Sequence, residues 1–269
     1  MFKKISIIFF LILLLSKNTF SGELNSEVYW EGLKSSFTLM ANSSVEQFKE
    51  KNNAYALLIA TPFLYYSFKE DDRISKNART KKIPKSMQIA SDLSPLFGLP
   101  LLSFATFSVG IKNDDEKLVQ FGKEYFAALY LAFIESAAMS LIPVHDRPET
   151  SKLAEIESKL RGASSFPSGH VIPYATLALK TFQFYGPYMA IIPTSLMVMT
   201  SIQRVRDGKH YLSDVIGGFF LSVFASEGVR KMANYQSNNS TYKFLFEHDM
   251  SIGIMQYENV LAPKITINW

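Results

Sequence analysis

Apolar stretches long enough for helices alternate with short polar connections along most of the chain. The pattern predicts helices at Ser44–Phe68, Ile83–Val109, Lys117–Leu141, His170–Phe184, Pro187–Gln203 and Tyr211–Asn234. Residues 70–82 are rich in charge, and we interpret them as a surface loop. Apolar helices bury one another when they pack side by side. The expected fold class is therefore all-α, a compact helical bundle of about six helices.

The C-terminal part of the chain has a different pattern. After a linker at residues 235–241, segments 242–246 and 250–269 predict two or three short strands, and residues 264–269 alternate apolar and polar side chains. Two or three strands cannot close a barrel. We expect a short β-hairpin-like C-terminal extension packed on the bundle, with docking to an outer membrane as the alternative.

The N-terminus is typical of an exported protein. Two lysines close to Met1 precede the apolar run Ile5–Leu15, and small residues follow near Ser21. This is the pattern of a secretory signal peptide, whereas a retained membrane anchor would need a longer apolar run. We expect three segments: a signal peptide at 1–21, a helical domain at 22–234, and a linker with C-terminal strands at 235–269.

Charge and composition restrict the partners of the mature protein. Removing residues 1–21 takes away three lysines and no acidic residue, so the formal net charge falls from +4 to +1. A nearly neutral chain whose polar segments lack interleaved aromatic residues is not expected to bind nucleic acid. Cysteine is absent, so export to the periplasm is not accompanied by disulfide bonds.

The apolar stretches are short or interrupted for membrane-spanning helices, which need about 20 mainly apolar residues. Asp92, Glu135 and Lys180 each fall inside one of them, and the mean hydropathy is only +0.06. A charge in the middle of a spanning helix is unfavourable. We expect a bundle that contacts the membrane at its surface, with a spanning or half-embedded domain as the alternative.

Candidate chemistry is concentrated near residue 210. His210 and Asp214 stand four positions apart and would share one face of a helix. A carboxylate bonded to one imidazole nitrogen fixes the tautomer and leaves the other nitrogen as a nucleophile. Arg204, earlier in the same segment, offers a planar fork of donors for phosphate oxygens. The alternative is a solvated loop followed by an ordinary helix cap.

A second segment, Pro167–His170, precedes an apolar stretch. Ser168 is suited to be the N-cap of a helix, and Gly169 allows a ligand to approach the backbone closely. The free N–H groups of a helix start favour an anion, and a histidine beside that anion is suited to protonating a leaving-group oxygen. His170 is the candidate acid. A capped helix with a half-exposed histidine is the alternative.

Together with Arg147-Pro148, these segments resemble the signature of the type 2 phosphatidic acid phosphatases, a superfamily shared with bacterial class A acid phosphatases and vanadium haloperoxidases. The order and spacing of the motifs agree over residues 140–214. The resemblance implies that His210 forms a phosphohistidine intermediate, with no metal or other cofactor. The remaining roles that it implies are phosphate clamps at Arg147 and Arg204, hydrogen-bond donors at Ser168 and Gly169, a general acid at His170, and an orienting carboxylate at Asp214.

The sequence departs from this signature at two positions. The family lysine falls on Ser140, and Gln203 stands where serine is usual. Neither departure touches the candidate nucleophile, acid or orienting carboxylate. Three cations remain open as substitutes for the lysine, namely Arg161, Arg206 and Lys209.

The expected function is that of an exported phosphatase acting on phosphomonoesters, with a phosphorylated small molecule or lipid as substrate. Phe166, beside the second segment, and the apolar helices favour a lipid-linked phosphate. Two alternatives remain open: a haloperoxidase that holds vanadate in a similar pocket, and a non-catalytic envelope binding protein on a phosphatase scaffold. The first predicts vanadate-dependent halide oxidation, and the second predicts no phosphate release.

Overall fold

The structure is a computed structural model that describes residues 26–144, 146–148, 164–236, 240–244, 249–257 and 260–268. The predicted signal peptide, residues 1–21, lies outside the described residues, as does Arg161. The described residues form nine helices and two strands. In chain order these are α1 Ser26–Glu46, α2 Lys51–Arg79, α3 Lys85–Phe97, α4 Leu101–Lys112, α5 Glu116–Ser140, α6 Ile172–Tyr185, α7 Pro187–Arg206, α8 Leu212–Ala233, α9 Ser240–Tyr242, β1 Asp249–Tyr257 and β2 Val260–Asn268.

The all-α class is confirmed, but the expected number of about six helices is wrong. The sequence pattern does not predict α1. The stretch predicted as one helix, Ile83–Val109, is divided into α3 and α4, which bend by 64° relative to each other. Pro100 lies at the division, and it lacks an N–H group and disfavours helical geometry at Leu99. The bend brings the end of α3 against the start of α6.

Helix α2 continues through the charged segment that the sequence analysis interpreted as a loop. It ends at Arg79 and packs against α8. Its buried polar residues Ser67, Asp71 and Ser75 recur every fourth position, a spacing that puts them on one helix face. The loop interpretation is wrong because the face that α2 buries here is polar, so the segment has no apolar periodicity to reveal a helix.

Helix α5 lies at the centre of the bundle, where it packs against α1, α4, α6 and α8. Burial of its apolar side chains removes surface from water, which contributes roughly 25 cal/mol per Å². The main core cluster joins α5 to α6 and α8 through Phe121, Tyr125, Leu129, Leu131, Ala132, Ile172, Phe184 and Ala225. The two helices that follow the candidate motifs are thus held against one central helix.

A buried polar network also ties α5, α6 and α8 together. Lys180 is fully buried, and its Nζ donates to Glu124 (2.9 Å), Gln183 (2.8 Å) and the backbone carbonyl of Ser226 (3.0 Å). Gln183 donates in turn to Glu124 at 2.9 Å. All three ammonium donors are used, as a buried ion pair requires if it is to offset its desolvation.

The C-terminal strands differ from the expected extension. Strands β1 and β2 pair antiparallel with each other, in a register from Asp249 opposite Asn268 to Tyr257 opposite Val260. Among the described residues they make no extensive contact with any helix, so the expected hairpin packed on the bundle is not supported. Tyr242, predicted in a strand, belongs to the short helix α9.

Membrane-spanning character is limited in the part of the chain that the structure describes. Helix α8 alone is long and apolar enough to cross a membrane, and α3 with α4 would qualify if the bent pair were one span. More than half of the qualifying window of α8 (56%) is buried inside the bundle. Core helices of soluble proteins pass the same test, so length and composition do not assign a span.

Candidate active site

The first turn of α8 brings together the two residues at the centre of the candidate site. Oδ2 of Asp214 accepts a hydrogen bond from the backbone N–H of Tyr211 at 2.8 Å and lies 3.2 Å from Nδ1 of His210. Both His210 and Asp214 are fully buried. His210 lies two residues before the first residue of the helix. Its side chain nevertheless contacts that of Asp214, four positions later.

A tight turn connects this pair to Arg204 at the end of α7. The backbone carbonyl of Arg204 accepts from the N–H groups of Lys209 (3.1 Å) and His210 (3.3 Å). Gly208 has φ = 66°, a left-handed conformation that glycine adopts without strain. The turn therefore fixes Arg204 relative to His210, as the sequence spacing suggested.

The loop that contains Ser168 lies against the start of α8. The N–H of Ser168 donates to the backbone carbonyl of Asp214 at 2.9 Å. A Cβ atom at Gly218 would lie 2.5 Å from the carbonyl oxygen of Ser168, so this close approach requires glycine. Ser168 is fully buried, and among the described residues its hydroxyl has no hydrogen-bond partner.

The predicted N-cap role of Ser168 is wrong. Helix α6 begins at Ile172, its N-cap residue is Val171, and Pro173 occupies the first turn. Proline at this position needs no N–H partner and has a suitable φ, so it sets the start of the helix further along the chain. Ser168, Gly169 and His170 instead lie in the loop and turn before Val171, and the N–H of Ser168 contacts the start of α8.

His170 lies close to His210. The two ring centroids are 6.3 Å apart and the ring planes are inclined by 58°. The backbone carbonyl of His170 accepts from Oγ of Ser94 in α3 at 2.5 Å. His170 is half-buried, whereas His210 is fully buried. The two imidazoles thus border one small region, with His170 on the more accessible side.

Arg147 reaches the same region from the segment after α5. Its Nη1 donates to the backbone carbonyl of Lys209 at 3.2 Å, next to His210. The described contacts therefore connect the candidate residues of the three sequence segments to the start of α8, although the segments are far apart in the chain. These residues are Arg147, Ser168, Gly169, His170, Arg204, His210 and Asp214.

Ser140 stands at the position of the lysine in the resembled signature, and its hydroxyl does not take the place of that lysine. It is the last residue of α5, is 1% exposed, and its hydroxyl donates back to the carbonyl of Ala137 at 2.7 Å. Arg206 donates to the carbonyl of Lys82 at 3.1 Å. Of the candidate substitutes in the described part of the chain, Lys209 directly precedes His210, and its backbone carbonyl accepts from Arg147.

A cavity of about 350 Å³ opens beside His170. It is lined by Gly169, His170 and Pro173, by Phe133 and Ala137 of α5, and by residues at the end of α3. Most of its lining is apolar. Phe166 does not line it: its ring packs 5.5 Å from that of Phe68 and against Gly217, so the sequence argument from Phe166 points to core packing rather than to a ligand.

Helix α2 contributes contacts to the site that the apolar periodicity of the sequence does not predict. The Asp71 carboxylate accepts from the backbone N–H of Ser213 at 3.1 Å and from the Ser213 hydroxyl. Asp72 accepts from the Tyr211 hydroxyl at 3.4 Å, and burial together with the Asp72 charge raises the pKa of Tyr211. The recurrence of Ser67, Asp71 and Ser75 at fourth positions was the signal that could have revealed this face.

The candidate site combines paired histidine and carboxylate side chains with nearby arginines. A buried histidine is paired with a carboxylate, and a second histidine lies nearby. The Arg147 side chain donates to the backbone next to His210, and the backbone of Arg204 accepts from the N–H of His210. Within the described residues no group of three or more His, Cys, Asp or Glu side chains could hold a metal ion. The described side chains of the candidate site are therefore two imidazoles, a carboxylate, a buried hydroxyl and cationic groups.

Three comparisons with known proteins bear on the chain. Residues 125–237 match the model of the PAP2 superfamily. The comparison with curated proteins finds no match. Among solved structures, the chain is similar to a protein described as the first transmembrane PAP2 type phosphatidylglycerolphosphate phosphatase from Bacillus subtilis, with 18% identity and a TM-score of 0.49 over 69% of this chain and 97% of that chain. A likeness of this size says nothing about substrate or location.

Proposed function

We propose that this chain, whose residues 125–237 match the model of the PAP2 superfamily, hydrolyses phosphomonoesters through a phosphohistidine at His210. The observation that carries the proposal is the buried His210–Asp214 pair with the ring of His170 centred 6.3 Å from that of His210. Two imidazoles at this separation can both reach one phosphoryl group placed between them. One can then act as nucleophile while the other moves the proton.

In the proposed first step, Nε2 of His210 attacks phosphorus while the bond between phosphorus and the leaving-group oxygen breaks. Asp214 holds the Nδ1–H tautomer and stabilises the positive charge that develops on the imidazole. His170 donates a proton to the departing oxygen. In the second step, His170 accepts a proton from water as the water attacks phosphorus, which releases inorganic phosphate and restores His210.

The remaining candidate residues would bind the phosphoryl oxygens. Arg147 and Arg204 present planar sets of donors that match these oxygens. The buried Ser168 hydroxyl and the N–H of Gly169 would add hydrogen bonds, and Lys209 would provide the cation that the family has at the position of Ser140. Preorganised donors of this kind stabilise the charge that develops in the transition state of phosphoryl transfer.

The cavity beside His170 supports a substrate with an apolar leaving group. The leaving group must lie on the side of phosphorus opposite the nucleophile, next to the general acid. His170, the proposed acid, lines an apolar cavity of about 350 Å³ that Phe133 and Ala137 also border. A lipid or lipid-linked phosphate fits this lining better than a sugar or nucleotide phosphate, because the latter would leave hydroxyl groups without partners.

We further propose that the protein is exported through residues 1–21 and works at the periplasmic side in contact with a membrane. Large apolar side chains are exposed on α2 and α7, well beyond the scattered apolar residues of an ordinary surface. They include Leu58 (66% exposed), Phe63 (59%), Tyr188 (85%) and Ile192 (70%). Contact with lipid would cover these side chains and bring the site close to a lipid substrate.

The proposal is tested by phosphate release from the full chain in detergent, with a soluble aryl phosphate and with phosphatidate. The variants are His210→Ala and, as a matched control, His248→Ala, a histidine that has no role in the proposal. We expect release by the wild type and the control in the presence of a chelator, and none by His210→Ala. Equal release by His210→Ala would overturn the phosphohistidine step.

Two other outcomes would favour the alternatives. Halide oxidation that appears only when vanadate is added, without phosphate release, would favour the haloperoxidase. A folded wild type that releases no phosphate and oxidises no halide would favour a non-catalytic binding protein. The phosphoenzyme is identified by the stability of a phosphate label trapped on the protein. A phosphohistidine loses the label in acid and keeps it in base.

A further inference from the structure

We propose that Asp71 of α2 is a positioning residue for the catalytic pair. It lies outside the region that matches the PAP2 superfamily, residues 125–237, and 142 positions before its partner Ser213. Its side chain is 5% exposed and accepts from the backbone N–H of Ser213 at 3.1 Å and from the Ser213 hydroxyl. The inference rests on the proposed function, because positioning has meaning only for a site that reacts.

The contacts of Ser213 show why its position matters. Ser213 is the second residue of α8, directly before Asp214. Asp214 contacts His210 through its side chain and accepts from the N–H of Ser168 through its backbone carbonyl. A shift of this turn would therefore move the partner of the nucleophile and the phosphate-binding loop together.

A carboxylate is suited to hold this turn. The first N–H groups of a helix have no partner within the helix, and a negative charge is favourable near them. Most helices satisfy these groups with a residue from their own N-terminus. Helix α8 receives its acceptor for Ser213 from another helix, so Asp71 fixes the position of α8 relative to α2 as well as capping it.

A second carboxylate beside Asp71 also contacts the start of α8. The neighbouring Asp72 accepts from the hydroxyl of Tyr211, the residue between His210 and Leu212. Two successive carboxylates of α2 thus contact residues on either side of Leu212. Glu70, one position earlier, makes a different contact: it pairs with Arg73 on the surface of α2.

The test compares Asp71→Ala and Asp71→Asn with the matched control Glu70→Gln, in the full chain in detergent. The substrate is a soluble aryl phosphate, and vanadate is the probe of the transition-state geometry. We expect Asp71→Ala to lower kcat by about tenfold to hundredfold with little change in KM, since small displacements of catalytic groups have effects of this size. Asp71→Asn keeps an oxygen acceptor for the Ser213 N–H, so it should recover most of kcat.

The control and the vanadate measurement separate positioning from stability. Rates are measured well below the melting temperature of each variant, so that loss of folded protein does not enter kcat. Asp71→Ala should weaken vanadate inhibition by about tenfold, because a transition-state analogue senses the same geometry. Glu70→Gln should leave kcat and vanadate inhibition unchanged.

Three results would overturn the inference. If folded Asp71→Ala and Glu70→Gln have the same kcat and the same vanadate inhibition, Asp71 supports only the fold while the proposed phosphatase stands. If Asp71→Asn is as impaired as Asp71→Ala, the hydrogen bond to Ser213 does not carry the effect. A wild type that neither releases phosphate nor binds vanadate overturns the proposed function, and the positioning role with it.

Discussion

Nδ1 of His210 and Oδ2 of Asp214 lie 3.2 Å apart although His210 precedes helix α8 and Asp214 lies in its first turn. The same carboxylate oxygen accepts from the N–H of Tyr211 at 2.8 Å. Asp214 therefore holds both the imidazole and the start of the helix. A change at this residue is expected to affect the tautomer of His210 and the geometry of the turn at once.

The first prediction concerns the charge of Asp214. We expect Asp214→Asn to lower kcat by about two to four orders of magnitude, because the amide would favour the wrong tautomer of His210. Asp92→Asn, a change to an exposed carboxylate of α3, serves as the control and should leave kcat unchanged. Steady-state kinetics on the two purified variants decides the matter, and near-normal turnover by Asp214→Asn would argue against the proposed role.

A second prediction concerns the close approach of Gly218 to the loop of Ser168. A Cβ atom at Gly218 would lie 2.5 Å from the carbonyl oxygen of Ser168, whereas nothing lies within 4 Å of the corresponding position at Gly253. We expect Gly218→Ala to displace the loop, reducing kcat more than tenfold and destabilising the protein by about 1–3 kcal/mol. Thermal unfolding and kinetics should show no change for Gly253→Ala.

The third prediction tests Lys209, the cation proposed to act in place of a lysine at the position of Ser140. Lys209→Met should weaken inhibition by phosphate or vanadate by about tenfold, the loss expected for one charge-assisted hydrogen bond of about 1.5 kcal/mol. Arg206→Met is the matched control, since Arg206 donates to the carbonyl of Lys82. Equal inhibition constants for Lys209→Met and the wild type would show that Lys209 does not contact the phosphoryl group.

A fourth prediction tests the apolar cavity. Ala137→Phe should fill part of the space beside His170 and so exclude a bulky leaving group. Such an exclusion costs about 1–3 kcal/mol, so kcat/KM for phosphatidate should fall by at least about tenfold. A small aryl phosphate should react at a nearly unchanged rate. Ala138→Phe, on the same helix but outside the cavity lining, is the control. Parallel losses for both substrates would contradict a leaving-group site at this position.

The fifth prediction concerns stability rather than chemistry. Lys180→Met should destabilise the protein by about 3–5 kcal/mol, because it leaves the buried charge of Glu124 without its partner. The double variant Lys180→Met with Glu124→Leu should recover much of this loss. Denaturant unfolding of the single and double variants measures the difference. A double variant no more stable than Lys180→Met alone would mean that packing, not the unpaired charge, determines the effect.

Several features could be predicted from local sequence because they depend on residues close in the chain. The His210–Asp214 contact follows from a spacing of four positions, and the all-α class follows from apolar periodicity. The break at Pro100 had a local signal too, but the long apolar stretch around it favoured one helix. The extension of α2 to Arg79 could not be recognised from apolar periodicity, because its buried face carries Asp71 and Ser75.

Local sequence is enough to predict which residue types stand in each motif and which of them lie close together through short spacing. Which distant segments meet depends instead on how the helices pack. Ser94 and His170 are 76 positions apart and Asp71 and Ser213 are 142 positions apart, and no local pattern encodes either contact. The physical reason is that hydrogen bonds within a helix depend on neighbouring residues, whereas contacts between helices depend on the packing of the whole bundle.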